Sequence, residues 1–243
     1  MNVAERIRVG AGTRRTVVRC LGPFRIHDPS GNQFQVRTRK ARALLAALAL
    51  SGRPMSRDSL AALLWSDRGE AQARASLRQS IFELQHCGEE EPVLVAARDD
   101  LAIRPDLLVT DLDLVREAAA EGDWQRLLVQ LQHAEPGLLT DLDGLDEEYD
   151  SWLRCERALE PANTLSLAVE AAERCLEAAG PRAALDITCE VLRLDPVNEA
   201  AARLAMRIDK QLGDSAALHR HYGALRDRLA EDYGAEPSAE TSQ

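Results

Sequence analysis

The sequence predicts a mainly α-helical protein with a small β part, divided into two domains. Three observations carry that prediction. Residues 39–85 hold three closely spaced apolar stripes of helical period, with short β-branched runs before them and a hairpin pattern after them. From Thr110 onward only helical periods occur, and part of that stretch repeats at an offset of 33 residues. The charge divides along the same line. Residues 1–110 carry 17 basic against 12 acidic side chains, and residues 111–243 carry 13 against 28. An acidic back half repels a polyanion and leaves any contact with one to the basic front.

Composition sets the outer bounds. A chain of 243 residues holds one large or two ordinary domains, and 45% hydrophobic with 29% charged residues is the balance of a soluble globular protein. No apolar run approaches the roughly 20 residues of a membrane span. The start, MNVAERIRVGAGTRRT, has no apolar core segment and does not read as a secretory signal. Cys20, Cys87, Cys155, Cys175 and Cys189 include no Cys-x-x-Cys pair, so they read as free, mostly buried thiols. His219 and His221 lie two apart and would point to different sides of a helix, which argues against a metal site.

Residues 1–16 read as a flexible tail. Val17 to Ile26 and Gln33 to Val36 read as two or three short strands, interrupted at Gly22-Pro23 and turned at Gly31-Asn32. Leu44, Leu45 and Leu48 stripe a first helix, which Gly52 and Pro54 end. Ser56 is placed as the N-cap of a second helix, with Asp58 in its first turn and Leu60, Leu63 and Leu64 on its buried side. A polar loop precedes a third helix from about Ala71 to His86. Leu77, Ile81 and Leu84, with Ala73 and Ser80, form its packing face.

The outward side of that third helix carries Gln72, Ser76, Arg78 and Gln79, with Arg74 on the flank. Arginine pairs with guanine edges, glutamine with adenine, and serine with either, so this face suits a DNA major groove. An ordinary solvated face is the alternative reading of the same residues. The run VLVAARDDLAIRPD reads as a hairpin turning at Asp99-Asp100, with Arg98 near its tip in reach of phosphates or a minor groove. Strands, three helices and a closing hairpin together describe a winged helix-turn-helix domain over 17–108.

Helical periods then cover Asp111–Glu121, Asp123–Ala134 and Glu147 to about Ala179. Three more follow at about Arg182–Leu194, Asn198–Leu212 and Ala216–Glu231. Gly180-Pro-Arg-Ala-Ala-Leu185 matches Gly213-Asp-Ser-Ala-Ala-Leu218, which is the manner of tetratricopeptide-like stacking. Residues 109–234 therefore read as a tetratricopeptide-like helical domain, and 235–243 as a C-terminal tail or truncated linker. Trp124, Tyr149 and Trp152 could line a pocket there, with core packing as the stronger reading.

Leu21-Gly22-Pro23-Phe24, Lys40-Ala41-Arg42-Ala43-Leu44-Leu45, Leu63-Leu64-Trp65 and Ala75-Ser76-Leu77-Arg78-Gln79 occur in order in the front half. Trp152, Glu156-Arg157, Leu194-Asp195-Pro196 with Glu199, Gly213-Asp214, Tyr222 and Gly234-Ala235-Glu236-Pro237-Ser238 follow in the back half. In this order and spacing the chain resembles the Streptomyces antibiotic regulatory protein (SARP) type of transcriptional activator. That type joins an OmpR-type winged helix to a bacterial transcriptional activation domain. The resemblance implies a cytoplasmic, nucleoid-associated bacterial activator that binds promoter direct repeats as double-stranded DNA. It would do so as a homodimer, at least on DNA, and would recruit RNA polymerase through the sigma or alpha subunit.

By the same resemblance Arg39, Lys40 and Arg57 hold phosphates, while Gln72, Arg74, Ser76, Arg78 and Gln79 read bases. The loop Ser66, Asp67, Arg68, Gly69 and Glu70 faces polymerase. No catalytic constellation, metal site or P-loop stands out, so neither an enzyme nor a cofactor is expected. Glu83 and Asp99-Asp100 disfavour phosphate, which supports an alternative reading as a protein-interaction module with weakened DNA binding. The regulatory N-terminal part of a larger multidomain regulator is the other alternative. A fragment ending near Asp106 is expected to keep DNA binding.

Overall fold

The computed structural model describes residues 15–86 and 92–242. Nearly all of the expected tail at 1–16, and Cys87, lie outside the described residues. The chain forms two compact units. The first comprises Met1–Asp113 with Gly137–Leu159, and the second Leu114–Pro136 with Glu160–Gln243. This differs from the expected boundary at 108/109, because a segment assigned by its period to the helical domain belongs with the first unit.

In the first unit, β1 (Thr16–Arg19), β2 (Arg25–His27) and β3 (Gln33–Phe34) make an antiparallel meander. It is followed by α1 (Arg39–Ser51), β4 (Met55–Ser56), α2 (Arg57–Leu64) and α3 (Glu70–Gln85). β5 (Leu94–Ala96) and β6 (Asp100–Ile103) form the hairpin, and β4 pairs with β6. β7 (Leu108–Thr110) then returns to lie parallel to β1, giving a sheet of order β3-β2-β1-β7. The caps are those the residue types favour. Thr38 accepts from Ala41 N, Ser56 accepts from Ser59 N, and Gly52 ends α1 at φ 61°. Leu44, Leu45, Leu48, Leu60, Leu64, Leu77 and Leu84 are buried, so the three helical stripes and the strands share one core.

The short strands β4 and β7 escaped the sequence reading because each directly precedes a helix and pairs with a strand distant in the chain, β6 and β1. β7 continues into α4 (Asp111–Glu121), whose first residue is 1% exposed. The Asp111 carboxylate accepts from Cys20 N at 2.9 Å, Leu21 N at 3.1 Å and Leu112 N at 3.1 Å. Burial pushes this carboxyl above its ordinary pKa, against those hydrogen bonds and the nearby Arg19 guanidinium.

Residues 137–146 run as a strap over the first unit. Gly22 N donates to Gly137 O at 2.9 Å, and Leu139 N donates to Cys20 O at 2.8 Å. Leu139 is fully buried at φ 49°, a left-handed conformation that costs a branched residue about 1–2 kcal/mol. Arg157, in the first-unit part of α6 (Glu147–Ala179), holds the strap. Its guanidinium donates to Leu138 O, Leu139 O and the Asp143 carboxylate, and that contact keeps Asp143 below the usual carboxylate range.

The second unit contains α5 (Trp124–His133), the remainder of α4 and α6, α7 (Pro181–Leu194), α8 (Glu199–Leu212) and α9 (Ser215–Tyr233). α7 packs on α8 and α8 on α9, and the starts of α7 and α9 lie 34 residues apart, within one residue of the 33-residue repeat. Arg193 on α7 donates to Leu131 O and Ala134 O at the end of α5. Among the described residues no helix is long and apolar enough to cross a membrane, and no group of His, Cys, Asp or Glu is placed to hold a metal ion. Among the described residues the thiols divide evenly: Cys20 and Cys175 are buried and Cys155 and Cys189 exposed, rather than mostly buried. Trp124 lies in the second unit, whereas Tyr149 and Trp152 pack on each other in the first at 5.2 Å.

The C-terminal stretch is not a loose tail. Ser238 N and Oγ donate to Glu199 Oε2 at 3.0 and 2.5 Å, and Thr241 Oγ1 donates to the same oxygen at 2.5 Å. These bonds hold the Glu199 carboxyl below its ordinary pKa. A depressed carboxyl contributes stability that is complete above its unfolded pKa and lost as pH falls through the folded value. Amide exchange at residues 238–242 is therefore expected to be protected at neutral pH and to lose protection below about pH 4. Protection that stays constant across that range would show that Glu199 does not hold the segment.

Candidate nucleic-acid interface

α3 is packed along Ala73, Leu77, Ser80, Ile81 and Leu84, which are all buried. Its outer side therefore faces water, and Gln72, Arg74, Arg78 and Gln79 are exposed there. Two of the five expected readers have internal partners. Arg74 pairs with Asp58 at 3.0 Å and with Glu70 at 2.8 Å. Ser76 Oγ accepts from Arg68 Nη1 at 2.9 Å. The Asp58 pair ties α3 to α2, the Glu70 pair lies within the first turns of α3, and the Arg68 bond ties α3 to the loop before it. Gln72, Arg78 and Gln79 carry no side-chain hydrogen bond or ion pair among the described residues, so their donors and acceptors point into solvent.

The hairpin of β5 and β6 is set beside α2 by Arg57. Arg57 N donates to Asp99 O at 2.8 Å, and its guanidinium Nε and Nη2 donate to Ala97 O at 3.3 and 3.2 Å. Arg57 thus fixes the wing turn from below. Arg98 sits exposed in that turn without a partner among the described residues.

The start of α1 departs most from expectation. Lys40 Nζ donates to Leu64 O, lies 3.6 Å from Asp146 Oδ2 and sits 5.4 Å from the Trp65 ring centroid. Asp146 is almost wholly buried and also accepts from Ser66 N at 3.0 Å and Ser66 Oγ at 2.6 Å. Arg39 Nη2 donates to Asp141 O at 3.0 Å and Asp143 O at 2.6 Å. The strap thus takes up Arg39 and Lys40, two of the three cations expected to hold phosphate, and the third, Arg57, is taken up by the hairpin. Period and composition could not find the strap's part in this, because its residues lie about a hundred residues away. Arg37, exposed just before α1 and unpartnered among the described residues, was overlooked because it belongs to no motif.

Glu83 is likewise reassigned. Its carboxylate accepts from Thr38 N at 2.9 Å and Thr38 Oγ1 at 2.8 Å, closing the start of α1 against the end of α3. Its carboxylate is thereby engaged at the half-buried junction of the two helices rather than left without a partner. The loop 66–70 is exposed and borders a groove of about 630 Å³ lined by Ala62, Leu63, Trp65, Arg68 and Arg74 among others.

A winged helix followed by tetratricopeptide-like helices, in this order, is the fold of the SARP type of regulator. The solved structure of EmbR from Mycobacterium tuberculosis, in complex with a low-affinity phosphopeptide, shares it. The two superpose with a TM-score of 0.63 at 22% sequence identity, over 94% of this chain and 63% of the EmbR chain. At that identity the likeness establishes the fold. No protein-family model matches the chain, and no curated protein matches it.

Proposed function

We propose that the protein is a sequence-specific, double-stranded-DNA-binding transcriptional activator of the bacterial cytoplasm, reading promoter repeats through α3 and the wing. The observation that carries this reading is the outward face of α3. Gln72, Arg78 and Gln79 are exposed without internal partners on a helix whose opposite side is firmly packed. Unsatisfied bidentate donors on a rigid helix are what base-edge recognition requires. Arg37 and Arg98, exposed and unpartnered among the described residues, are free to hold phosphate, and Arg57 supports the wing instead of touching DNA. The second unit supports side-by-side dimers on DNA, and the exposed loop 66–70 recruits RNA polymerase through its sigma or alpha subunit. No step in this function calls for a cofactor or a catalytic residue.

Arg78→Ala is expected to abolish discrimination between operator and random duplex while leaving stability within about 0.5 kcal/mol of the parent, because an exposed unpartnered side chain is lost. A lost bidentate base contact costs about 1–3 kcal/mol. Fluorescence anisotropy on both duplexes, with an operator selected by the parent protein from genomic fragments, decides it. A variant that discriminates as well as its parent removes Arg78 from the readers. Failure of the parent itself to discriminate overturns the proposed function.

A further inference from the structure

We infer that Phe82 packs on the C5-methyl group of a thymine, so that the operator carries an A·T pair under the last turn of α3. The inference rests on the DNA-reading function proposed above and names part of what is read. Phe82 is 61% exposed, more than any other large apolar side chain of α1, α2 and α3. Its position on the helix is specific. At about 100° per residue, the line opposite the buried stripe of Ala73, Leu77, Ser80, Ile81 and Leu84 passes through Ala75 and Phe82. Arg78 lies about 40° to one side of Phe82, and Gln79 about 60° to the other. The centre of the outward face is thus apolar, and the polar readers flank it.

The ring is also held in place. It lies 4.1 Å from the His86 ring, and His86 Nδ1 is 2.7 Å from Phe82 O. In the major groove the apolar feature of base edges is the thymine methyl, which alanine and phenylalanine contact. Ala75 and Phe82 are seven residues apart, or about 10 Å along the helix at 1.5 Å per residue. That span matches about three base steps of 3.4 Å. A helix lying along the groove therefore places both apolar groups over base edges. The basic front half and the unpartnered Arg78 make duplex DNA, rather than another protein, the occupant of this face.

The test removes the methyl groups one at a time. Each thymine of the selected operator is replaced by deoxyuridine, and binding of the full chain is measured. At one position the replacement is expected to weaken the parent roughly three- to fivefold, the effect of burying one methyl group. The same replacement should leave Phe82→Ala unaffected, and Phe82→Leu should keep part of the sensitivity. If the parent discriminates operator from random duplex but no thymine couples to position 82, this inference fails and the reading function stands. A Phe82→Ala loss of equal size on thymine and deoxyuridine operators assigns the ring to a protein neighbour and likewise overturns it. A parent that does not discriminate at all overturns the reading function, and this inference with it.

Discussion

A chain ended at Asp106 is expected not to fold cooperatively. The truncation removes β7, which pairs with β1 through Leu108, Val109 and Thr110. It removes the Asp111 carboxylate from Cys20 N and Leu21 N, leaving two amides without their acceptor. It also removes the strap, and with it Leu138, Leu139, Leu142, Tyr149 and Leu153, all fully buried. At about 2 kcal/mol for each buried side chain, those five alone amount to about 10 kcal/mol. A domain is stable by only about 5–15 kcal/mol. Sequence period places the end of the winged helix before these residues, so this outcome is the opposite of the one the sequence suggests. Far-UV circular dichroism through a urea titration tests it. A sigmoidal transition in the fragment would show that 107–159 is dispensable. In the full chain, Asp111→Ala should cost about 3 kcal/mol by the same measurement, since buried amides lose their acceptor.

Lys40→Ala is expected to destabilise the first unit by about 3 kcal/mol and to leave the salt dependence of DNA binding unchanged. Lys40 is the charged partner of Asp146, whose side chain is 2% exposed. Removing one member of such a pair strands the other, and the stranded charge, more than the lost attraction, sets the cost. Ser66 continues to donate to Asp146, so the loss stays short of what an unsolvated carboxylate would suffer. Arg39→Ala should cost less, about 1 kcal/mol, because Arg39 is exposed and serves only carbonyl oxygens. A phosphate contact behaves differently. Its removal lowers the log–log salt slope by about 1 and leaves stability alone. Urea unfolding together with binding at several salt concentrations separates the two. A flattened slope at parental stability would return Lys40 to the DNA surface. The slope change is expected instead from Arg37→Ala and Arg98→Ala.

These two expectations mark where reading along the chain succeeds and where it stops. The packing stripe of α3, the Ser56 cap, the Gly52 stop and the hairpin flanking Arg98 all follow from neighbours within a few residues, and each was legible. So were the helices from Asp111 onward, because a 3.6-residue period and a 33-residue repeat are local signals. The outward face of α3 was legible as a consequence: once one side is packed, Gln72, Arg78 and Gln79 have nowhere else to point. Arg74 and Ser76 were read on the same outward side, and there the structure adds internal partners. Glu70 is a local i,i+4 neighbour of Arg74, but Asp58 and Arg68 approach only when α2 and the loop are folded.

The amino-acid sequence by itself determined the order of the helices and of the hairpin, the two electrostatic halves and the side of α3 that stays in water. Hydrophobic period, capping chemistry and charge are properties of residues close together in the chain. Only the tertiary structure decided which charges remain available on that surface. It buried Asp146 against Lys40 across 106 residues, turned Glu83 onto Thr38 across 45, and set Arg39 on carbonyls 102 and 104 residues away. An ion or a hydrogen-bonding group is satisfied by whatever the fold brings within about 3 Å, and no local pattern encodes that distance.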